Sequence, residues 1–352
     1  MSKFLSQKFS NLVPYVPGEQ PKDKEYIKLN TNESPFPPSK KAIRLAKKSA
    51  KKLKLYPDPD CKKLTKLIAD NLGVESKNVI LSNGSDEVLN FAFMAFCDTE
   101  SPAIFPDITY GFYKVFADIN SVPYKTISLE DDFSIDLSKY TKINGTVFIA
   151  NPNAPTGKYI SVNEIETLLQ ANQNRVVVID EAYVDFGNKS CVSLINKYDN
   201  LLVTRTFSKS RSMAGARLGY GVANENIIND LMSIKYSTNP YNVNIMTASA
   251  GEGSIKDNSY FIKNCKKIID NREWTTSKLK SLGFTMTDST ANFIFAKSDK
   301  IGGKDLYLKL KENGVLVRHF ANDRISDYIR ITVGSKKEMK KFINAVKYIL
   351  EN

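Results

Sequence analysis

Histidine is nearly absent from this chain, which has one histidine, His319, among 352 residues. A Ser-His-Asp triad or a histidine-rich metal site would depend on that single residue. The four cysteines stand far apart without a CxxC pair, so we expect no zinc or other metal site. If the protein is an enzyme, its acid–base chemistry falls to Lys, Asp or Tyr, helped by an organic cofactor.

Long apolar runs and a secretion signal are also missing from the sequence. No stretch approaches the roughly 20 apolar residues that a membrane-spanning helix needs. The N-terminal residues do not have the pattern of a signal peptide, and scattered cysteines suit free thiols in a reducing compartment. We therefore expect a cytoplasmic protein with no membrane partner.

Positive charge is in surplus, because 50 Lys and Arg face 38 Asp and Glu for a formal net charge of +12. The densest basic run, 40–54, mixes lysines with Ile43, Leu45 and Leu53, as an amphipathic helix with a solvated face does. No groups that read or stack on bases are interleaved with it, so we expect no nucleic-acid partner. The surplus charge favours phosphorylated small molecules as ligands.

Predicted strands and helices alternate along much of the chain, which indicates an α/β fold. The run RVVVI at 175–179 is apolar and largely β-branched, which is typical of a parallel strand buried on both faces. A smaller mixed layer follows the helices after residue 224, with predicted strands at 284–287, 292–297, 314–320 and 327–333 and helices at 304–313 and 336–350. We predict three parts, which are an N-terminal arm (1–30) on the small domain or a partner, a large domain (31–240) and a small C-terminal domain (241–352).

Polar turns follow several predicted strands, at the sheet edge where open α/β sheets bind ligands. Between a strand at 78–81 and an apolar helix at 88–97 stands SNGSDE, whose free N–H groups suit a phosphate. A helix cap by Ser85 or Asp86 explains the same letters. Asp180 directly follows the strand at 175–179. A buried carboxylate at this position is unfavourable without a cationic partner, which indicates a cationic ligand. The alternative is that Asp180 only caps a helix.

The stretch 204–219, TRTFSKSRSMAGARLG, is the segment around which we expect the other segments to be arranged. It contains Lys209 between two serines, with Arg217 eight residues later, and predicted strands at 201–206 and 215–223 flank this lysine. One interpretation is a lysine that binds an aldehyde cofactor covalently, with Ser208 and Arg217 as phosphate ligands. The other is an ordinary Lys/Ser-rich loop, and this stretch alone does not decide between them.

Eight segments taken in order point to one known family. They are LNTNESP, LYPDP, SNGSDE, PDITYGFY, NPNAPTG, VVVIDEAY, TFSKSRSMAGARLGYG and DYIRITVGS. In them the chain resembles the fold-type-I aminotransferases, which use pyridoxal phosphate (PLP), and more closely the histidinol-phosphate aminotransferase family. The resemblance covers nearly the whole chain. It implies a large domain with a mostly parallel, helix-flanked sheet and a smaller α/β C-terminal domain.

The resemblance assigns three catalytic residues. Lys209 matches the lysine that binds PLP covalently and later moves the proton between substrate and cofactor. Asp180 matches the partner of the pyridine nitrogen, whose negative charge keeps that nitrogen protonated. Tyr183 matches the hydroxyl that hydrogen-bonds the phenolic O3′ of the cofactor.

The resemblance also assigns the remaining cofactor contacts. The residues that match the phosphate cup are Gly84, Ser85, Asp86, Ser208 and Arg217. Tyr110 matches the ring stacked over the pyridine. Tyr56, in LYPDP, matches a tyrosine that reaches the cofactor phosphate of the neighbouring subunit, which implies a homodimer with shared active sites.

Substrate contacts and one departure complete the comparison with the family. Arg330 matches the arginine that grips the substrate α-carboxylate, and Tyr15 and Asn32 are further substrate-binding candidates. Many members carry Asn before Pro-Thr-Gly, where its amide reaches O3′, whereas this chain has Ala154. Asn151 or Asn153 must then supply the contact, or Tyr183 does so alone. His319 either lines the substrate pocket or is an ordinary hydrogen-bonded histidine.

The implied reaction is amino transfer between L-histidinol phosphate and 2-oxoglutarate, which gives imidazole acetol phosphate and L-glutamate. Two alternatives keep the cofactor, namely a decarboxylase of a phosphorylated hydroxy amino acid such as threonine phosphate and a transaminase of another phosphorylated or aromatic amine. A non-catalytic basic protein on the same scaffold is a third, but it has no need of Lys209, Asp180 and Arg330 together.

Overall fold

A computed structural model describes residues 2–10 and 12–352 of the protein. The α-helices in this part of the chain are α1 (Lys40–Ser49), α2 (Lys62–Leu72), α3 (Ser85–Phe96), α4 (Phe112–Asn120), α5 (Val162–Ala171), α6 (Glu225–Thr238), α7 (Ile245–Ile255), α8 (Asn258–Ser281), α9 (Gly303–Glu312) and α10 (Lys336–Glu351). The strands are β1 (Ile27–Lys28), β2 (Val79–Ser82), β3 (Ala103–Pro106), β4 (Tyr124–Ile127), β5 (Thr146–Ala150), β6 (Val177–Asp180), β7 (Leu201–Thr206), β8 (Gly219–Ala223), β9 (Phe284–Met286), β10 (Phe293–Ser298), β11 (Val315–Leu316), β12 (Arg318–His319) and β13 (Tyr328–Thr332). Within the described residues, no helix is both long and apolar enough to cross a membrane.

The larger sheet has seven strands in the order β2-β8-β7-β6-β5-β3-β4. All neighbours are parallel except at β8, which runs antiparallel to β2 and β7. Successive side chains of the buried strands alternate between two apolar layers, so Val177 and Ile179 of β6 face one layer and Val178 the other. Helices α1, α2, α5 and α7 contribute to the first layer, and α3, α4 and α6 to the second. The predicted mostly parallel, helix-flanked sheet is confirmed.

The C-terminal part forms a smaller antiparallel sheet in the order β12-β13-β10-β9. Its apolar side chains pack in one cluster with Ile268 of α8, Leu310 of α9 and Phe342 of α10. The N-terminal arm reaches this layer through β1, which pairs in parallel with β11. The carboxylate of Glu19 adds contacts to Tyr307 and Lys311 on α9.

Two predicted strands differ from the observed ones. The predicted strand at 314–320 is two short strands, because β11 pairs with β1 whereas β12 pairs with β13 in another sheet. The predicted strand around 215–223 begins only at Gly219. The residues before it form a 3-10 turn at 214–216, and Arg217 has a positive φ of 51° that ends the turn.

The strand β4 and the helix α5 are among the elements that the sequence pattern did not predict. Strand β4 lies at the edge of the larger sheet with three of its four side chains exposed, so its sequence lacks an apolar run. Helix α5 begins at a capping box in which Ser161 and Glu164 bond each other's backbone N–H groups. That box is the sequence signal from which the helix is predictable.

The division of the chain at residues 240 and 241 stays a prediction. Helix α7 lies beyond this division, yet it packs with the large sheet, since Ala250 and Ile255 belong to one of its apolar layers. Gly253 lies so close to α1 that a Cβ there would approach the backbone nitrogen of Ala42 to 2.6 Å. These contacts favour a division just before α8.

Candidate active site

The carboxyl ends of β5, β6 and β7 meet at one edge of the larger sheet. In the strand register, Ala150 of β5 and Thr204 of β7 lie on either side of Asp180 of β6. A cavity of about 330 Å³ opens at this edge. The predicted site residues that line it are Ser85, Asp86, Tyr110, Asp180, Tyr183, Ser208, Lys209 and Arg217.

Asp180 is a buried carboxylate, 4% exposed, held by three donors. Its Oδ1 accepts hydrogen bonds from Thr204 Oγ1 at 3.1 Å and from the backbone N–H of Ala182 at 3.2 Å. Its Oδ2 accepts from Tyr113 Oη at 3.3 Å. Burial raises the pKa of Asp180 to about 6, and the hydrogen bonds oppose that rise. A cation placed against this carboxylate would stabilise its charged form.

A cradle built around two glycines lies between the start of α3 and the strand β8. Gly84 precedes α3 with φ of +80°, and a Cβ there would come within 2.5 Å of Arg217 Nη2. A Cβ on Gly219 would overlap the backbone nitrogen of Ser85. Only glycine permits both approaches, which bring the positive helix end and a guanidinium together. Arg217 donates from Nη2 to Asp86 Oδ2 at 2.9 Å and from Nη1 to Ser208 Oγ at 3.4 Å.

Lys209 projects into the same cavity from a loop that is fixed on both sides. The backbone N–H of Ser208 donates to Thr206 Oγ1 at 3.1 Å, and Ser210 Oγ donates to Asp185 Oδ2 at 2.5 Å. The Nζ of Lys209 donates to the carbonyl oxygen of Thr31 at 3.4 Å and lies 5.8 Å from the centroid of the Tyr183 ring. The amine is therefore directed at the cavity by its neighbours' hydrogen bonds.

Two tyrosines of the cavity have fixed hydroxyl groups. Tyr183 Oη accepts from Asn32 Nδ2 at 2.9 Å. Tyr110 Oη donates to Asp86 Oδ1 at 2.6 Å. Burial and the charge of Asp86 raise the pKa of Tyr110 well above its usual value, so this phenol stays protonated.

A second cavity of about 330 Å³ adjoins the first and shares Tyr110, Tyr183 and Lys209 with it. The three predicted substrate residues, Arg330, Tyr15 and Asn32, all line it, as does Arg318. Arg330 and Arg318 face each other across β13 and β12. The two arginines are twelve positions apart in the sequence, so their proximity is visible only from the register of β12 and β13.

Arg330 is a half-buried cation with few hydrogen-bond partners. Its Nη2 donates to the carbonyl oxygen of Asn30 at 3.3 Å, and its Nε has no hydrogen-bond partner within residues 2–10 and 12–352. The guanidinium lies 5.4 Å from the ring centroid of Phe293 and 5.5 Å from that of Phe320. Burial lowers its pKa from the usual value. Because the buried Nε of this half-buried guanidinium is unfavourable without an acceptor, the arrangement suits an anionic ligand.

The structure does not bring Asn151 or Asn153 to the cavity. Asn151 exchanges two hydrogen bonds with the backbone of Ile160, both at 2.8 Å. Asn153 donates to the carbonyl oxygen of Ile108 at 3.0 Å and accepts from Thr109 Oγ1 at 2.7 Å. Both amides hold the loop, and Ala154 lines the cavity in their place. The alternative in which Tyr183 alone contacts O3′ stays a prediction.

The comparisons with known proteins agree with this geometry. Residues 24–346 match the model of the family described as aminotransferase class I and II. Over 356 aligned positions the chain is 49% identical to the histidinol-phosphate aminotransferase of Brachyspira hyodysenteriae, with 100% of both chains covered. This chain belongs to the histidinol-phosphate aminotransferase family.

Solved structures agree with that membership of the histidinol-phosphate aminotransferase family. The histidinol-phosphate aminotransferase of Clostridium acetobutylicum is 26% identical with a TM-score of 0.85, over 92% of this chain and 99% of that one. The enzyme from Sinorhizobium meliloti, in complex with pyridoxal-5'-phosphate, is 21% identical with a TM-score of 0.85, over 93% and 92% of the two chains. The second likeness establishes the fold.

The cofactor of this histidinol-phosphate aminotransferase family member is PLP, and three features of the cavity fit it. Gly84 and Gly219 let the start of α3, Arg217 and β8 approach closely, and a helix start with a guanidinium suits a phosphate. Asp180 offers a carboxylate to a protonated ring nitrogen, and Lys209 offers an amine to an aldehyde. Ser85, Arg217, Asp180 and Lys209 all line the same cavity of about 330 Å³.

Two residues singled out in the sequence lie apart from both cavities. Tyr56 is 81% exposed and stacks on Tyr241, with ring centroids 4.7 Å apart. His319 Nε2 lies 2.7 Å from the carbonyl oxygen of Ser326, so it is hydrogen-bonded within its own layer. Tyr113 is the converse case, a contact of Asp180 that the motifs did not assign. Its one sequence signal is its place three residues after Tyr110.

Proposed function

We propose that this chain is a histidinol-phosphate aminotransferase. It exchanges an amino group between L-histidinol phosphate and 2-oxoglutarate, and the products are imidazole acetol phosphate and L-glutamate. The observation that carries the proposal is the junction of the two cavities at Lys209, with Asp180 and the phosphate cradle on one side and Arg330 with Arg318 on the other. The free, buried cysteines support a reducing cytoplasmic location.

The residues of the first cavity hold the cofactor and move one proton. Bound PLP supplies the electron sink for the reaction. Lys209 Nζ would take the proton from the substrate carbon that bears the amine and would later give it back on the cofactor side. Asp180 would keep the ring nitrogen protonated, and the Tyr183 hydroxyl, bonded by Asn32, would face the phenolic oxygen. Arg217, Ser208 and the start of α3 would hold the phosphate.

The residues of the second cavity recognise the anionic ends of the two substrates. L-Histidinol phosphate has a phosphate but no carboxylate, whereas 2-oxoglutarate has two carboxylates. The α-carboxylate contact expected for Arg330 therefore applies to 2-oxoglutarate and L-glutamate alone. We assign Arg330 and Arg318 jointly to the phosphate of one substrate and a carboxylate of the other, since both anions suit a guanidinium fork.

We further propose that two copies of the chain associate and share their active sites. The short segment 53–56 exposes three apolar side chains, with Leu53 at 57%, Leu55 at 64% and Tyr56 at 81% exposure. A cluster of this kind is typical of a surface that a partner covers. Tyr56 stands on the same segment, so a two-fold dimer would carry its hydroxyl toward the partner's cofactor phosphate.

The test is a direct assay of the PLP-loaded protein. We expect L-glutamate to form from 2-oxoglutarate when L-histidinol phosphate is the amino donor, and no product with the Lys209→Ala variant. Borohydride reduction and peptide mapping should place the pyridoxyl group on Lys209. Carbon dioxide release from L-threonine phosphate, without glutamate formation from L-histidinol phosphate, would instead identify a decarboxylase and overturn the proposal.

A further inference from the structure

Tyr113 is a fully buried tyrosine beside the catalytic carboxylate. Its ring packs among aromatic neighbours, with centroids 5.7 Å from Phe105, 5.7 Å from Tyr110 and 5.9 Å from Phe148. Among the described residues, the hydrogen-bond partner of its hydroxyl is Asp180 Oδ2, at 3.3 Å. A phenylalanine would fill the same space without burying a hydroxyl, which is unfavourable unless it is paired. The hydroxyl is therefore explained by its bond to Asp180.

The two oxygens of Asp180 are unequally occupied. Oδ1 accepts from both Thr204 and Ala182, whereas Oδ2 accepts from Tyr113. A carboxylate oxygen has two acceptor positions, so Oδ2 keeps one for the ring nitrogen of the cofactor. Burial raises the pKa of Tyr113 well above its usual value, so its phenol remains a donor at any working pH.

We propose that Tyr113 is a positioning residue for the reaction, acting through Asp180. Its hydroxyl fixes the plane of the carboxylate and favours the charged form that the protonated ring nitrogen of the cofactor requires. The proposal rests on the proposed function, in which Asp180 faces that nitrogen. Tyr113 should therefore affect the binding of a cofactor only when that cofactor has a ring nitrogen that can bond Asp180.

The test compares Tyr113→Phe with Tyr140→Phe as a matched control. Tyr140 is also buried, at 1% exposure, but its hydroxyl has no hydrogen-bond partner in the described part of the chain. The dissociation constant of each apoprotein is measured by equilibrium dialysis for PLP and for its 1-deaza analogue, in which a carbon replaces the ring nitrogen. Tyr113→Phe should bind PLP roughly 10- to 150-fold more weakly and should bind the analogue with an unchanged dissociation constant, since one hydrogen bond to a charged group is lost. Tyr140→Phe should match the parent with both ligands.

Two outcomes would overturn the positioning role. An unchanged PLP constant for Tyr113→Phe would show that the hydroxyl does not act on the cofactor. Equal losses for PLP and the analogue would show a general packing effect. Asp180→Asn is the reference variant, because parent-like PLP binding by that variant would remove the proposed orientation of the cofactor itself. Thermal melts of the apoproteins verify that every variant is folded.

Discussion

At the scale of single residues, the site contains charged groups that the fold leaves open for ligands. Arg330 is the clearest case, because its half-buried guanidinium lies between Phe293 and Phe320 and bonds a single backbone carbonyl. Asp180 is the complementary case, a buried carboxylate whose donors are neutral hydroxyl and amide groups. Charged groups of this kind are unfavourable without a partner of opposite charge, and a charged ligand supplies that partner.

Replacing Arg330 by Met should weaken the binding of both substrates. The loss of charge-assisted hydrogen bonds worth about 1.5–3 kcal/mol predicts a KM roughly 10- to 150-fold higher for L-histidinol phosphate and for 2-oxoglutarate. Arg330→Lys should fall between, since it keeps the charge and loses the fork. Steady-state kinetics measure both values. Arg44→Met on the exposed face of α1 is the control and should match the parent. A parent-like KM for both substrates in Arg330→Met would contradict the assignment.

At the scale of elements, the phosphate cradle depends on the close approach of β8 to the start of α3. A methyl group on Gly219 would overlap the backbone of Ser85 and Gly84, so Gly219→Ala should displace the helix start. We expect the apoprotein to lose about 1–3 kcal/mol of stability through overpacking. We also expect the affinity for PLP to fall at least tenfold, because the backbone N–H groups at the start of α3 would no longer point at the phosphate.

Differential scanning calorimetry and equilibrium dialysis test the Gly219→Ala prediction together. Gly302→Ala is the matched control, because nothing lies within 4 Å of a Cβ at Gly302 and its φ is negative. The control should bind PLP like the parent and lose at most about 1 kcal/mol of stability, because Gly302 caps α9 and alanine is a poorer N-cap. If Gly219→Ala did the same, the two elements would have room to separate and the cradle would not depend on their approach.

The elements that the sequence predicts well are those whose local pattern matches their environment. Strand β6 is one continuous apolar run because helices cover both of its faces, and that run is visible without any partner. The segment 314–320 is the opposite case, since only the strands that pair with it decide where β11 ends and β12 begins. The residues of the site also fall into a group that the sequence predicts and a group that it does not. Lys209 and Asp180 stand in motifs, whereas the meeting of Tyr113 with Asp180, and of Arg318 with Arg330, depends on tertiary register.

At the scale of the whole molecule, the predicted cofactor ligand Tyr56 lies on the surface, outside the site of its own chain. Tyr56 lines neither cavity and is fixed on a turn that the body of the large domain holds firmly. Lys235, buried in α6, donates to the carbonyl oxygen of Pro59 at 2.6 Å, and Tyr236 Oη donates to Asp60 at 2.5 Å. A rigid turn that presents an exposed aromatic side chain is suited to inserting it into a second copy.

Subunit mixing tests this arrangement. Tyr56→Ala and Lys209→Ala are each expected to be inactive at limiting PLP, the first because the cofactor is poorly retained and the second because the amine is missing. If Tyr56 acts across a two-fold interface, a mixed dimer has one site with both residues intact. Equal mixing and free exchange give half mixed dimers, so activity should recover to roughly a quarter of the parent value. The control pairs Lys209→Ala with Asp180→Ala, whose residues line the same cavity of one chain, and should recover nothing. Demonstrated exchange without recovery in the first mixture would mean that Tyr56 does not complete the partner's site.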